Sequence, residues 1–74
     1  MIVFTQHALI KLQQRNIKRE LVLQTLQKPD RIIYAEHGRI CAFKKFRTLR
    51  LKVVFIKQAE RIIVITQHWV AKAP

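Results

Sequence analysis

The chain has 74 residues, and its 15 Lys and Arg against 4 Asp and Glu give a formal net charge of +11. Half of the residues are hydrophobic, which excludes a disordered tail, and apolar runs such as "VVFI" and "IIVI" are far shorter than the ~20 residues of a membrane-spanning helix. We therefore expect one domain over residues 1–74. "MIVFTQH" lacks the features of a signal peptide, and the lone Cys41 suits a reducing cytoplasm, where we expect the protein to reside.

The excess of positive charge predicts a negatively charged partner, because self-repulsion at this charge costs stability. Nucleic acid is the first candidate, since each neutralised phosphate releases counterions and strengthens binding. An acidic protein is the second candidate. An anionic membrane surface ranks third, and we expect no membrane partner.

The first elements are a strand and two helices. "MIVF" is a short β-branched and aromatic run typical of a strand, and Thr5 can cap the helix that follows. That helix runs to about Gln14, and a second runs from about Lys18 to Gln27, where Pro29-Asp30 ends it. In the first helix His7, Lys11 and Arg15 recur every four residues, so they form one stripe.

The remainder of the chain alternates as strands do. "RIIYAE", "RICAFKKF", "LRLKVVFIK" and "RIIVITQHW" are rich in Val, Ile, Phe and Tyr, and short breaks separate them. The sequence therefore predicts an α+β fold: an N-terminal strand and two helices packed on a four-stranded antiparallel meander.

Pairing across the hairpins sorts the strand residues into two faces. We take His37-Gly38 as a two-residue turn, which pairs Tyr34 with Cys41, and Arg47-Thr48 as the next turn. One face, predicted to lie under the helices, collects Ile33, Ala35, Ile40, Ala42, Leu49, Leu51, Val53 and Phe55. The opposite face collects Tyr34, Arg39, Phe43, Lys45, Arg50 and Lys52. Cations among aromatics suit single-stranded nucleic acid, although a solvated outer face has the same composition.

The last strand is apolar at both parities, so its register stays open. A two-residue turn at Gln58-Ala59 places His68 beside Leu49 on the helix face, whereas a three-residue turn places it near Arg50 on the basic face.

From His7 to Ile17 the chain reads "HALIKLQQRNI", which resembles the His-Ala-x-x-[Arg/Lys]-x-x-x-Arg-x-Ile signature of a small bacterial family, domain of unknown function 4258. The spacing onward to Val22, Leu26 and Pro29-Asp30 is similar, as are "LRLKVVF" and "VITQHW". The family in turn resembles the RelE and ParE toxins. The resemblance implies two helices on a curved antiparallel sheet, and a toxin of a type II toxin–antitoxin pair that cleaves RNA.

This chain departs from the family pattern at two positions. Asn16 stands where the family often has glycine, and asparagine still permits a tight turn between helices. Lys18 stands where a Ser or Thr cap is common, so the second helix begins without that cap. The family supplies no settled catalytic set, so candidate residues come from the chemistry itself.

RNA cleavage without a metal needs a base for the 2′-hydroxyl proton, an acid for the 5′-oxygen, and cations at the phosphate. His7 and His68 are the candidate acid and base, because histidine titrates near neutral pH. Lys45 and Arg50, paired across the second hairpin, would hold the phosphate, and Lys45 is a further candidate base. The predicted nucleic-acid-binding residues are Lys11, Arg15, Tyr34, Arg39, Phe43 and Lys52, with Tyr34 and Phe43 stacking on bases.

We expect RNA and an acidic antitoxin as partners, and neither a cofactor nor a metal, since Glu36, His37 and Cys41 lack a zinc-binding spacing. The antitoxin would cover both the basic face and the His7 stripe. Other interpretations stay open: His7 bonded to backbone near the helix start, and His68 as a half-buried structural residue. The alternative function is a non-catalytic basic binder, either a gyrase-directed toxin or a nucleic-acid-binding adaptor.

Overall fold

The computed structural model of the chain describes residues 1–71. The α+β class is confirmed, as are the initial strand, the two helices and the antiparallel meander of four strands. In chain order the elements are β1 (Ile2–Phe4), α1 (Gln6–Gln14), α2 (Arg19–Gln27), β2 (Arg31–Tyr34), a 3₁₀ turn (Glu36–Gly38), β3 (Ile40–Phe46), β4 (Leu49–Gln58) and β5 (Arg61–Val70). Among residues 1–71, no helix has the length and apolar content that crossing a bilayer requires.

The sheet has five strands in the order β1-β5-β4-β3-β2. β2 to β5 are antiparallel neighbours, whereas β1 joins the edge of the meander in parallel with β5, with Ile2–Phe4 opposite Ile62–Val64. The predicted first strand therefore makes the sheet mixed. Because β1 is so short, the part of β5 from Thr66 to Val70 remains at the sheet edge.

Local capping bonds determine where α1 begins and ends. Thr5 Oγ1 accepts a hydrogen bond from the Ala8 backbone N–H at 3.0 Å, as a helix N-cap does. At the other end Asn16 has φ 53, and the Ile17 N–H donates to the Leu12 carbonyl at 2.9 Å. This is a Schellman turn with asparagine in the position that favours glycine. α2 follows at once, and its N-cap residue, Lys18, makes no side-chain cap bond.

Both helices pack on one side of the sheet, which we call the helix side. The core on that side is formed by Ala8, Ile17, Val22, Ala42, Leu51, Val53, Phe55 and Val64. The fully buried Gln67 links α1 to β5, because its Nε2 donates to the Ala8 carbonyl at 2.8 Å. We call the opposite surface of the sheet, which neither helix covers, the open face.

The first hairpin contradicts the predicted register. Tyr34 pairs with Ile40 and not with Cys41, because residues 35–39 join the two strands in place of a two-residue turn. His37 and Gly38 both have left-handed φ, at 61 and 71, within a 3₁₀ turn that holds the longer connection. Pairing is thus displaced by one residue, which exchanges the two faces of β2.

The second hairpin matches the prediction, and the third follows neither predicted alternative. Phe46 pairs with Leu49 across Arg47-Thr48, as expected. β4 and β5 instead join through Ala59-Glu60, and the β5 register then shifts between Val54 and Phe55 of β4. This β-bulge inserts one extra residue, Ile65, into β5.

Candidate nucleic-acid interface

The open face is divided along the strands into a basic end and an apolar end. Strand pairing arranges its side chains in rows across the sheet. Two neighbouring rows form the basic end: His68, Lys52, Phe43 and Arg31 in one, and Val70, Arg50 and Lys45 in the next. Two further rows form the apolar end: Thr66, Val54, Cys41 and Ile33, then Ile56, Ile63 and Val3. Beyond them, Gln58 pairs with Arg61 next to the turn between β4 and β5.

The centre of the basic end is His68, which the bulge places opposite Lys52 on the open face. Arg15 reaches the same position from the end of α1. Its Nη1 donates to the Gln67 carbonyl at 2.9 Å and to Thr66 Oγ1 at 3.4 Å. Partial burial of the imidazole, together with the positive charges of Lys52 and Arg15, lowers the pKa of His68 below 6.5. The ring is therefore neutral near neutral pH and can accept a proton.

The positions at which β1 and α1 end explain why Arg15 lies beside His68. β1 stops at Phe4, so the outward carbonyl of Gln67 has no neighbouring strand to bond. α1 stops at the turn around Asn16, which leaves Arg15 at its last turn beside that edge. The guanidinium satisfies the free carbonyl and so remains next to His68.

Lys45 and Arg50 face each other in the outer row of the basic end, as predicted. Asp30 fixes this end of β3, since its Oδ2 accepts from the Lys45 backbone N–H at 2.7 Å and its own N–H donates to the Phe43 carbonyl at 2.7 Å. The acidic group is thus bonded to backbone, and the Lys45 side chain, on an exposed residue, extends from a fixed strand.

The structure does not bring the two aromatics of the predicted stacking platform together on one exposed surface. Phe43 does lie on the open face, but it is only 3% exposed, with Lys52 Nζ 5.9 Å from its ring centroid. Tyr34 is 77% exposed but lies on the helix side, because of the register of the first hairpin. Arg39, predicted on the same face, lies in the connection outside the strands. The basic end therefore offers cations without an exposed ring.

The His7 stripe does not converge on His68. His7 is exposed at the start of α1, eight residues before Arg15, which is about 12 Å along a helix axis. Lys11 Nζ donates to Gln14 Oε1 of the same helix at 2.9 Å. Of the three stripe residues, only Arg15 is bonded to the strand that carries His68, so the predicted His7–His68 acid–base pair is not assembled.

A comparison with protein families finds a match to the family described as "Domain of unknown function (DUF4258)", over residues 4–67. The chain belongs to this family. Neither a curated protein nor a solved structure matches it significantly. The DUF4258 match ends one residue before His68, so membership of the family includes Arg15 and Lys52 but is silent on the histidine between them.

Three residues that shape the site were not among those predicted from the sequence. Thr66 and Gln67 accept hydrogen bonds from the Arg15 guanidinium. Arg31 lies at the end of the row that begins at His68. The signal available was "TQH", a polar segment closing an otherwise apolar strand. Within residues 1–71, no group of three His, Cys, Asp or Glu side chains lies close enough together to hold a metal ion.

Proposed function

We propose that this protein binds RNA on the basic end of the open face and cleaves it without a metal, as the toxin of a type II toxin–antitoxin pair. The observation that carries the proposal is His68, held neutral by partial burial between Lys52 and Arg15. A neutral histidine surrounded by cations combines a proton acceptor with charge complementary to a phosphate. The relation of the family to RelE and ParE toxins, inferred from the sequence pattern, is part of this proposal.

The reaction is an internal transfer within the RNA strand. His68 removes the 2′-hydroxyl proton, and the 2′-oxygen forms a bond to the adjacent phosphorus. The bond from phosphorus to the 5′-oxygen breaks, and that oxygen leaves with the electron pair and takes a proton. The products are a 2′,3′-cyclic phosphate and a free 5′-hydroxyl, so atoms and charge balance without a metal or a water molecule.

The cations of the basic end supply the remaining roles. Arg50 and Arg15 hold the phosphate oxygens, where negative charge builds in the transition state. Lys52, directly opposite His68, is the nearest donor for the leaving 5′-oxygen, and Lys45 is in the next row. With His7 at the far end of α1, the acid is a lysine rather than a second histidine.

A second candidate function is binding without cleavage, as a gyrase-directed toxin or a nucleic-acid-binding adaptor. It is favoured by two features of the basic end: a single histidine among its seven residues, and the burial of Phe43. Such a surface contacts phosphates and reads no bases, which suits sequence-independent binding.

Cleavage in the presence of a chelator separates the two candidates. Purified protein incubated with a single-stranded RNA and EDTA should yield fragments ending in a 2′,3′-cyclic phosphate. The same strand with 2′-deoxyribose throughout should bind but stay intact, since it lacks the attacking oxygen. If the protein binds both strands and cleaves neither, the ribonuclease proposal fails and the non-catalytic adaptor is the better proposal.

The toxin role is tested in cells. Induced expression should arrest bacterial growth, and His68→Gln should relieve the arrest without lowering protein abundance. An acidic antitoxin that places carboxylates against Lys45, Arg50 and Lys52 would restore growth by covering the basic end. If the wild-type chain is harmless at high abundance, the toxin proposal fails even where RNA cleavage is observed.

A further inference from the structure

A concave surface lies on the helix side of the sheet, at the end that carries the Arg47-Thr48 turn. It is an open groove of about 390 Å³, lined by Leu21, Phe46, Arg47, Thr48, Leu49 and Trp69. Its volume is within the range of about 300–1,000 Å³ typical of small-molecule sites. Apart from Arg47 and Thr48 its lining is apolar, and Leu49 is 39% exposed there.

The groove contains the aromatic surface that the basic end lacks. Phe46 and Trp69 meet edge to face, with ring centroids 6.4 Å apart and an angle of 89° between the planes. In this geometry one ring contributes only an edge, so the pair covers a single ring face between them. Both residues are partly buried against the core and line the groove, where their remaining exposed surface can meet a third planar group.

The groove and the basic end occupy the two sides of the same strand ends. Trp69 follows His68 in β5, and Leu49 precedes Arg50 in β4, so these two groove residues are each adjacent in sequence to a basic-end residue. The turn between β3 and β4 separates the two surfaces, about 13 Å along β4 from Lys52 to Thr48. A chain of phosphates on the basic end can pass over this turn, where Arg47 stands at the rim of the groove.

We propose that the groove binds a nucleobase of single-stranded RNA, at a nucleotide a short distance along the strand from the phosphate beside His68. Arg47 contacts the backbone as the strand passes over the turn, and the base enters between Leu49 and the Phe46–Trp69 pair. This inference rests on the proposed function, because it needs RNA on the basic end.

Charge favours a nucleic-acid base over a protein side chain as the occupant. An apolar side chain would fit the groove equally well, but the rim carries Arg47 and the adjoining surface carries Arg50, Lys45 and Lys52. A base brings its own phosphates to those cations, and stacking on an aromatic ring is available to every base.

The backbone of Arg47 supports a role for its side chain. Arg47 has φ 59, a left-handed conformation that L residues adopt at a cost and glycine adopts freely. Ala59, in the turn between β4 and β5 at the opposite end of the sheet, has a similar φ of 56. Glycine at either position relieves the same strain, but only Arg47→Gly removes a cation from the groove.

Trp69 is the only tryptophan of the chain, so its fluorescence reports on the groove directly. We would titrate the full chain with a short single-stranded RNA that carries 2′-deoxyribose at each cleavable position, and separately with inorganic polyphosphate. Both should bind by an independent measure such as anisotropy competition, and only the RNA should quench Trp69. RNA binding without quenching, or equal quenching by polyphosphate, overturns the groove proposal and leaves the basic end intact. Failure of both ligands to bind overturns the proposed function as well.

Matched variants locate the base. Arg47→Gly should weaken RNA binding several-fold and lower its salt dependence by about one counterion, whereas Ala59→Gly should leave both unchanged. Leu49→Ala should weaken binding and reduce the quenching, by up to about tenfold in affinity, while Leu9→Ala on exposed α1 surface should not. If Leu49→Ala binds RNA like the wild type but loses an acidic protein partner, the groove is a protein-docking site instead.

Discussion

The two ends of the open face are built from the same strands yet differ in chemistry. The apolar end contains no charged side chain in its two rows, which consist mostly of β-branched residues. The basic end contains Lys45, Arg50, Lys52, Arg31 and His68 in two rows of similar size. Alternation along a strand therefore decides which face of the sheet a residue occupies. Its distance along the strand decides whether it belongs to the basic end or to the apolar end.

The bulge in β5 is what brings the histidine to the basic end. Without the bulge, Ile65 would pair with Val54 of β4, and His68 would fall on the helix side. A hydrogen bond from the residue after β1 stabilises the bulge, because the Ile65 carbonyl accepts from Thr5 Oγ1 at 3.2 Å. The residue that caps α1 therefore also stabilises the irregularity that positions His68.

The largest expected effect is on cleavage, at the basic end alone. His68→Gln removes the proton acceptor but keeps a polar side chain, so cleavage should fall by about 10²–10⁴-fold while RNA affinity changes little. Ile56→Val, at the apolar end, is the matched control and should cut at the wild-type rate. The cleavage rates of both variants are measured as rates of fragment formation at saturating protein. Equal rates for wild type and His68→Gln would remove His68 from the mechanism.

RNA affinity should depend more on the cations of the basic end than on cations elsewhere in the chain. Lys45→Ala combined with Arg50→Ala should lower RNA affinity by about tenfold or more at low salt, and reduce the slope of log affinity against log salt by about two. The control is Arg19→Ala with Lys28→Ala, which removes the same charge from the other side of the sheet. If both double variants lose the same affinity, binding follows net charge and not this surface.

Stability should depend on pH through His68. Its pKa is lower in the folded chain than the ordinary 6.5, so as pH falls below 6.5 the unfolded state binds the proton first. The free energy of unfolding contributed by this group is thus fully present above that pH and is lost as pH falls through the folded pKa. Urea unfolding at several pH values should show a smaller acid loss for His68→Gln than for wild type. Identical acid losses would show that His68 is not held neutral.

Much of the fold followed from local patterns. The Thr5 cap, the end of α2 before Pro29-Asp30, and the antiparallel strands were all readable, because each depends on neighbours in sequence. The Lys45–Arg50 pairing was readable for the same reason, since a two-residue turn fixes it.

The rest depended on contacts that local patterns do not encode. The 3₁₀ turn after β2 moved Tyr34 to the helix side, and the β5 bulge set the position of His68. Arg15 joined the site only because β1 is too short to cover Gln67. Phe43 is buried on the open face, with Lys52 Nζ over its ring, and alternation alone does not reveal this.

The smallest predicted effect lies at the turn next to the apolar end. Ala59→Gly relieves a left-handed φ of 56 that costs about 1–2 kcal/mol, against about 0.5–1 kcal/mol of added flexibility in the unfolded chain. Stability should therefore rise by up to about 1 kcal/mol, seen as a higher Tm, with RNA binding unchanged. A lower Tm for Ala59→Gly would show that alanine stabilises this turn more than its left-handed φ destabilises it.

The pH dependence of RNA cleavage by wild type and by Lys52→Gln is the direct test of whether His68 is the catalytic base. If His68 is the base, the wild-type rate should rise with pH to a plateau, with its midpoint below 6.5. Lys52→Gln removes one of the cations that disfavour the charged imidazole, so the midpoint should move upward, toward 6.5, whatever happens to the maximal rate. An identical midpoint in both proteins would show that His68 is not the base, and no cleavage by the wild type at any pH would show that the protein is not a ribonuclease.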